Sequence, residues 1–236
     1  METITSNLMQ KAVVLHSRAY REGSYICQLL TEFDGRLTAI VRVGRNSAKF
    51  EPFNLYTIKL SQGRADLFFV DKYELDSQLA ILTGKLLYSG LYINELLVKL
   101  LQQTLHSELI LSWYIQVIYQ LKLSDIELES VLRNFELDLI DELGVSVDFD
   151  TCFDAFEPIQ ADMQYQFYPE QGWSSKVAPW LNLPIFPGDI ITKIGERDFS
   201  EVEILKSAKL LTRRWLDHLL AGKPIKSREL FKRMNR

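Results

Sequence analysis

The side chains in this sequence that could do chemistry are cations in two clusters, aromatics set among them, and one isolated arginine. Residues 36–64 carry six bases (Arg36, Arg42, Arg45, Lys49, Lys59 and Arg64) against Glu51 alone, a local balance of +5. Residues 206–236 carry ten bases, Lys223, Lys226 and Arg228 among them, against two acids, a balance of +8. Between the clusters, residues 125–170 hold thirteen acids and one base, Arg133. A net charge of −4 speaks against a nucleic-acid ligand, so the segregation of sign matters more than the sum. A single strand of nucleic acid asks for cations along its phosphates and flat side chains against its bases. Arg36, Arg42, Arg45, Lys49 and Arg64 supply the first, and Phe50, Phe53 and Tyr56 are candidate platforms for the second. The bland alternative is that the bases are solvated strand ends and the aromatics are core.

Catalytic chemistry has less footing. There is no GxxxxGK phosphate loop and no GxSxG, and the three histidines, His16, His106 and His218, are scattered over different elements. Asp138, Asp141, Asp148 and Asp150 could be imagined around two divalent ions, as in a nuclease, but charge runs of this kind are mostly solvated faces. Cys27 and Cys152 have no CxxC or CxxH neighbours, which argues against a disulfide framework and a four-ligand metal site. We therefore expect no catalytic residue, no metal and no cofactor. Hydrophobic content of 47% and charged content of 25% are those of a folded soluble protein. No apolar run spans a membrane without interruption and no basic-then-apolar leader opens the chain, so a cytoplasmic protein is expected.

The elements that must position these residues can be read from periodicity. At 236 residues, two or three small modules sharing a core are expected. Residues 11–74 read as a small β domain of five β-branched and aromatic runs of strand length, with Asp34-Gly35 and Gln62-Gly63 where tight hairpins need positive φ. Five strands fit a barrel of the oligonucleotide-binding (OB) type, and an SH3-like barrel fits the count almost as well. After Asp76 the period becomes helical. In LTGKLLYSGLYINELLVKLLQQ (82–103), leucine, isoleucine and valine cover more than half the circumference, and Gly90 and Asn94 point into that sector. This helix is expected to be a buried spine, with the last long helix returning to pack on it. Helices follow over 107–123 and 126–143, the second with Ser124 and Glu127 in capping-box spacing and a stop at Gly144. Residues 145–197 lose the period and collect five prolines. They read as an irregular insert with a short hairpin near 165–173, held by Phe149, Phe153, Phe156, Tyr165 and Phe167. Helix returns at Ser200, with Glu203 in capping-box spacing, and a short basic helix (227–234) closes the chain. The domains expected are 1–76, then 77–144 with 198–236, and the insert 145–197.

Three strings, VLHSR (14–18), LYSGLYINELL (87–97) and GKPIKSRELF (222–231), resemble the RecO family of bacterial recombination mediators, in the right order and over essentially the whole chain. The resemblance tips the barrel toward the OB type. It implies an α+β protein, an N-terminal five-stranded OB-type barrel packed on a C-terminal α-helical domain. Many members hold a structural zinc with paired cysteines where this chain has GVSVDFDTCFDAFEP (144–158). Ala155 stands where the partner of Cys152 would be, so the insert is expected to be zinc-finger-like but zinc-less. The resemblance further implies a non-enzymatic protein that binds single- and double-stranded DNA through Arg36, Arg42, Arg45, Lys49, Arg64, Lys223, Lys226 and Arg228. Such a protein anneals complementary strands and, with RecR, helps RecA replace single-stranded-DNA-binding protein (SSB). VLRNFEL (131–137) is similar to a family string of the LRRFEL kind, and Arg133 matches a family arginine, while Asn134 departs from a second basic position. By resemblance Arg133, with Leu132 and Phe135, would receive the C-terminal tail of SSB at the mouth of an apolar pocket. A monomer when free is expected, located in the cytoplasm and at the nucleoid during repair. The rival classes are an adaptor whose barrel docks a protein instead of DNA, and the metal-dependent nuclease.

Overall fold

The computed structural model describes residues 8–44, 49–63, 67–102, 108–122 and 125–234, the side chains of 108, 125–127 and 232–234 excepted. The chain divides into two compact units, Met1–Leu123 with Ile225–Arg236, and Ser124–Pro224. The helices expected to form one block are thus shared between the units.

In the first unit, strands β1 (Met9–Arg21), β2 (Ser24–Thr31), β3 (Gly35–Arg42), β4 (Asn54–Gln62) and β5 (Leu67–Gln78) close a barrel in the order β1-β2-β3-β5-β4. β3 and β5 run parallel and the other neighbours antiparallel. That parallel pair is the Greek-key closure of an OB-type barrel, and an all-antiparallel SH3-like meander does not have it. Alternation along β3 sends Leu37, Ala39 and Val41 into the core and leaves Arg36, Thr38, Ile40 and Arg42 outside. The turn into β3 needs Gly35, whose φ is +61°.

Helix α1 (Gly84–Leu100) lies against β1. Its Asn94 donates from Nδ2 to the Leu15 carbonyl (3.0 Å) and accepts from the Tyr114 hydroxyl (2.9 Å) on α2 (Glu108–Gln120). One buried amide thereby ties strand and two helices together and satisfies three polar groups that would otherwise be costly to bury. A Cβ at Gly90 would meet Leu82 Cδ1 and Phe53 Cε1 at 2.7 Å, so glycine is what lets the barrel's Phe53 reach the helix backbone.

The helix packed on α1 is the short terminal α6 (Ser227–Met234), whereas the long α5 (Val202–Leu219) packs on α3 (Asp125–Glu142) and α4 (Gly188–Gly195) in the second unit. The expectation that the last long helix returns to the central one is corrected accordingly. Glu95 of α1 secures α6: its carboxylate accepts from Lys226 N (2.9 Å) and Ser227 N (2.8 Å) and pairs with Lys99 (2.7 Å). Burial pushes the Glu95 carboxyl up, but Lys99 and these N–H donors outweigh it and hold it at about 2. A depressed carboxyl contributes stability that is present above its unfolded value, near 4.5, and is lost as pH falls toward 2. Amide exchange within α6 is expected to accelerate through that window in the wild type. Glu95→Gln should abolish the pH dependence, and equal protection at pH 5 and pH 2.5 would refute the account.

In the second unit, residues 145–197 are more ordered than their prolines suggest. β6 (Gln164–Tyr168) pairs with β7 (Gly172–Ser174), the expected hairpin, and also with β8 (Ile185–Pro187), followed by α4. Phe149, Phe167, Trp173, Phe186 and Trp215 of α5 pack ring against ring, while Phe153 meets Tyr168 edge to face. Phe156 departs from the expected aromatic core and is 84% exposed. Gly144 (φ +68°) ends α3 as anticipated. The capping box at Ser200 and Glu203 does not form: Glu201 occupies the cap without a side-chain bond, and Ser200 N donates to Asp198 instead (3.1 Å). The Ser124–Glu127 box lies outside the described residues. No helix among the described residues is long and apolar enough to cross a membrane.

Candidate nucleic-acid interface

The outer surface of the barrel over β3, β5 and β4 carries a cleft of about 910 Å³. Its lining includes Ile40 and Arg42 of β3, Ser61 of β4, and Phe69, Lys72 and Leu75 of β5. Phe68 and Phe69 are successive strand residues and so face opposite ways, Phe68 into the core and Phe69 outward with 42% exposure. The Phe69 ring lies against Gly63, where a Cβ would come 2.5 Å from the Leu67 carbonyl oxygen and 2.9 Å from Phe69 Cε2. An exposed aromatic face in a cleft that Arg42 and Lys72 also line suits a base and its phosphates. Asp71 and Glu74 share the cleft, but Asp71 accepts from Ser61 Oγ (2.7 Å) and Glu74 is paired with Lys72 (2.7 Å). The Lys72–Glu74 pair is exposed, so opening it for a phosphate costs little.

The other sequence-predicted cations distribute less favourably. Arg36 is half-buried and donates from Nε to the Leu101 carbonyl at the end of α1 (2.8 Å) and from Nη1 to Gln28 (2.8 Å), with burial lowering its pKa. It braces the barrel against α1 instead of facing a ligand. Lys49 is exposed, 3.8 Å from Glu51. Arg45 and Arg64 lie outside the described residues. Lys223 and Lys226 are exposed, and Arg228 sits 5.7 Å from the ring of Tyr92.

The platform aromatics require correction. Phe50, Phe53 and Tyr56 are all buried. Phe50, Tyr56 and Tyr73 form a stacked group within the barrel core, and the Tyr56 hydroxyl donates to the Lys49 carbonyl (2.9 Å) while accepting from Glu51 N (2.9 Å). The loop before β4 thus folds its rings inward, because a small closed barrel needs large side chains to fill it. Phe69 is an exposed ring, as Tyr20 and Tyr25 are, and it is the one in the cleft; adjacent phenylalanines in a period-two strand could have announced it.

Arg133 also stands elsewhere than expected. It is 3% exposed, with Nη2 donating to Glu136 Oε1 (2.7 Å), and Glu136 in turn accepts from the Thr212 hydroxyl of α5. Leu132 and Phe135 are buried core, not the lips of a pocket. α3 is covered on nearly every side, so a residue one position off its apolar face is interior too.

Among the described residues no three His, Cys, Asp or Glu side chains gather as metal ligands would. Asp138 and Asp141 share Arg197, at 3.4 and 2.8 Å. Cys152 is buried, and both its N–H (3.0 Å) and its thiol (3.3 Å) donate to the Glu157 carbonyl. A single cysteine cannot complete a zinc shell. Elemental analysis of the purified protein is expected to find no stoichiometric zinc, and about one zinc per chain would overturn this.

Comparison with known proteins agrees with the strings that run through the sequence. Family models described as Recombination protein O N terminal and Recombination protein O C terminal match residues 5–78 and 82–229. The chain is 37% identical over 228 residues to the DNA repair protein RecO of Pectobacterium atrosepticum, covering 94% of this chain and 92% of that protein. It is also 37% identical over 228 residues to the DNA repair protein RecO of Hahella chejuensis, covering 95% and 94%. With the DNA repair protein RecO of Psychromonas ingrahamii the identity is 34% over 225 residues, covering 93% and 96%.

Proposed function

The chain belongs to the RecO family of DNA repair and recombination proteins, and from that premise we propose that it is a non-enzymatic recombination mediator. It binds single- and double-stranded DNA, anneals complementary strands and, with RecR, promotes loading of RecA on DNA coated with SSB. The observation that carries the DNA part of this reading is the outer barrel cleft, where Phe69, its ring against Gly63, shares the lining with Arg42 and Lys72. Annealing needs a surface that screens repulsion between two phosphate backbones while holding each strand weakly enough for bases to search. A few cations beside one stacking ring suit weak, sequence-tolerant contact. The SSB tail remains a proposed partner, with a receiving site other than an open Arg133 pocket.

The adaptor reading draws on Asp71 and Glu74, which balance the two cations of the cleft. The deciding experiment is annealing of complementary oligonucleotides precoated with the cognate SSB, with and without divalent metal. Annealing without strand cleavage is expected. No effect on DNA would select the adaptor, and metal-dependent shortening of the strands the nuclease.

A further inference from the structure

Residues paired across a β-ladder stand on the same side of the sheet, so register shows which side chains share the outer wall of the barrel. Arg18 of β1 pairs with Ile26 of β2, Ile26 with Ile40 of β3, and Ile40 with Phe69 of β5. This row faces outward, because the intervening Cys27, Ala39, Val41, Phe68 and Val70 belong to the core. A second outward row lies two residues along β2 and β3, where Arg42 pairs with Ser24 and Ser24 with Arg21. Arg18 and Arg21 are three residues apart and in a regular strand would face opposite ways. The register shift between Ala19 and Arg21 absorbs one residue, and both arginines therefore stand on the outer side.

Arg18, Arg21 and Arg42 are all exposed, and no acid occupies either row. Among the described residues none of the three has an ion pair, whereas Lys11, Lys49 and Lys72 of the same barrel each have one. At the far end of the wall the Arg21 guanidinium lies 5.1 Å from the centre of the Tyr20 ring, which is 47% exposed. Unpaired cations set among apolar and aromatic side chains are what a single strand of nucleic acid asks for. Ile40 and Arg42 also line the cleft beside Phe69, so wall and cleft are one continuous surface. A strand lying in the cleft meets Arg21 two ladder steps beyond Arg42, each step about 5 Å.

The curvature of that surface selects the form of DNA. From Phe69 to Arg18 the row takes three of the five steps round a closed barrel. Duplex DNA, with a persistence length of about 150 base pairs, is too stiff to follow such an arc, whereas a single strand can wrap it. Resting on the DNA reading of the cleft, we propose that Arg18 and Arg21 extend it into a track for single-stranded DNA alone, running round the wall from β5 to β1, while duplex DNA engages only the cleft. Strands that have paired lose the Arg18 and Arg21 contacts, and the annealed product is released more readily than its components.

The test compares a labelled oligonucleotide with its duplex of the same length, by fluorescence anisotropy on the full chain at several salt concentrations. Arg18→Ala combined with Arg21→Ala is expected to weaken single-strand binding about tenfold near physiological salt and to flatten its salt slope by about 1.4, or about 0.7 for each cation lost. Duplex affinity should stay within about twofold of the wild type, whereas alanine at both Arg42 and Lys72 should weaken both forms. Lysine at positions 18 and 21 keeps the charge and should keep the wild-type slope. Urea unfolding checks that each variant is folded. Unchanged single-strand binding in the Arg18 and Arg21 alanine variant would overturn the track and leave the cleft standing. An equal loss for single strand and duplex would overturn the selectivity. A wild type that binds neither form would refute the DNA reading and this proposal with it.

Discussion

Replacing Arg133 with alanine is expected to lower the stability of the protein by about 3–5 kcal/mol, because it strands a carboxylate in the interior. Glu136 is fully buried and its two oxygens are divided between Arg133 and the Thr212 hydroxyl. Without the guanidinium, a full negative charge stays in the interior without its cationic partner. Removing both charges should be far milder. In Arg133→Met with Glu136→Leu, the loss reduces to hydrogen bonds such as that from Thr212, each roughly 1 kcal/mol, offset in part by apolar packing. Urea unfolding separates the cases, since a change of midpoint at constant slope is a change of stability. The measurement also decides what the arginine is for. If Arg133→Ala unfolds within 1 kcal/mol of the wild type while binding of an SSB tail peptide falls ten- to a hundredfold, the guanidinium is a receptor group and its bond to Glu136 is incidental.

Arg133 marks where reading the sequence stops short. Periodicity places a residue on a face of its helix but does not say how many faces neighbours cover, and α3 is covered by more than its apolar stripe announces. The same reason hides the partner of α1. Both α5 and α6 present apolar stripes, and what records which one docks is tertiary: the Glu95 carboxylate at the first turn of α6 and the Phe231 ring against Tyr88. The barrel was legible because strand alternation is local: Leu37, Ala39 and Val41 had to share a side, and Asp34-Gly35 had to turn. Phe50 and Phe53 belong to no strand, so no period tells whether they point inward; Phe50 fills the barrel and Phe53 packs against Gly90 of α1. α4 escaped because its eight residues follow a proline and start and end with glycine. Phe69 was within reach, since two consecutive phenylalanines in a strand cannot both be core.

Phe69→Ala is expected to weaken binding to single-stranded DNA by about 1–3 kcal/mol, or roughly 5- to 150-fold, while leaving its salt dependence unchanged. The ring contributes a stacking face and no charge, so its loss removes a term that salt does not screen. Arg42 and Lys72 should behave in the opposite way. If about four cations engage the strand, the logarithm of affinity falls with the logarithm of salt at a slope near −3, and a fourfold rise in salt weakens binding about fiftyfold. Changing Arg42 and Lys72 together to alanine should flatten that slope by about 1.4 and weaken binding to all sequences alike. Phe69→Leu keeps apolar area without an aromatic face and should bind as poorly as the alanine variant, whereas Phe69→Trp should bind at least as well as the wild type. Fluorescence anisotropy with a labelled oligonucleotide at four salt concentrations reads both quantities. Equal affinity for wild type and Phe69→Ala, or a slope unmoved by losing Arg42 and Lys72, would mean that DNA does not run through this cleft.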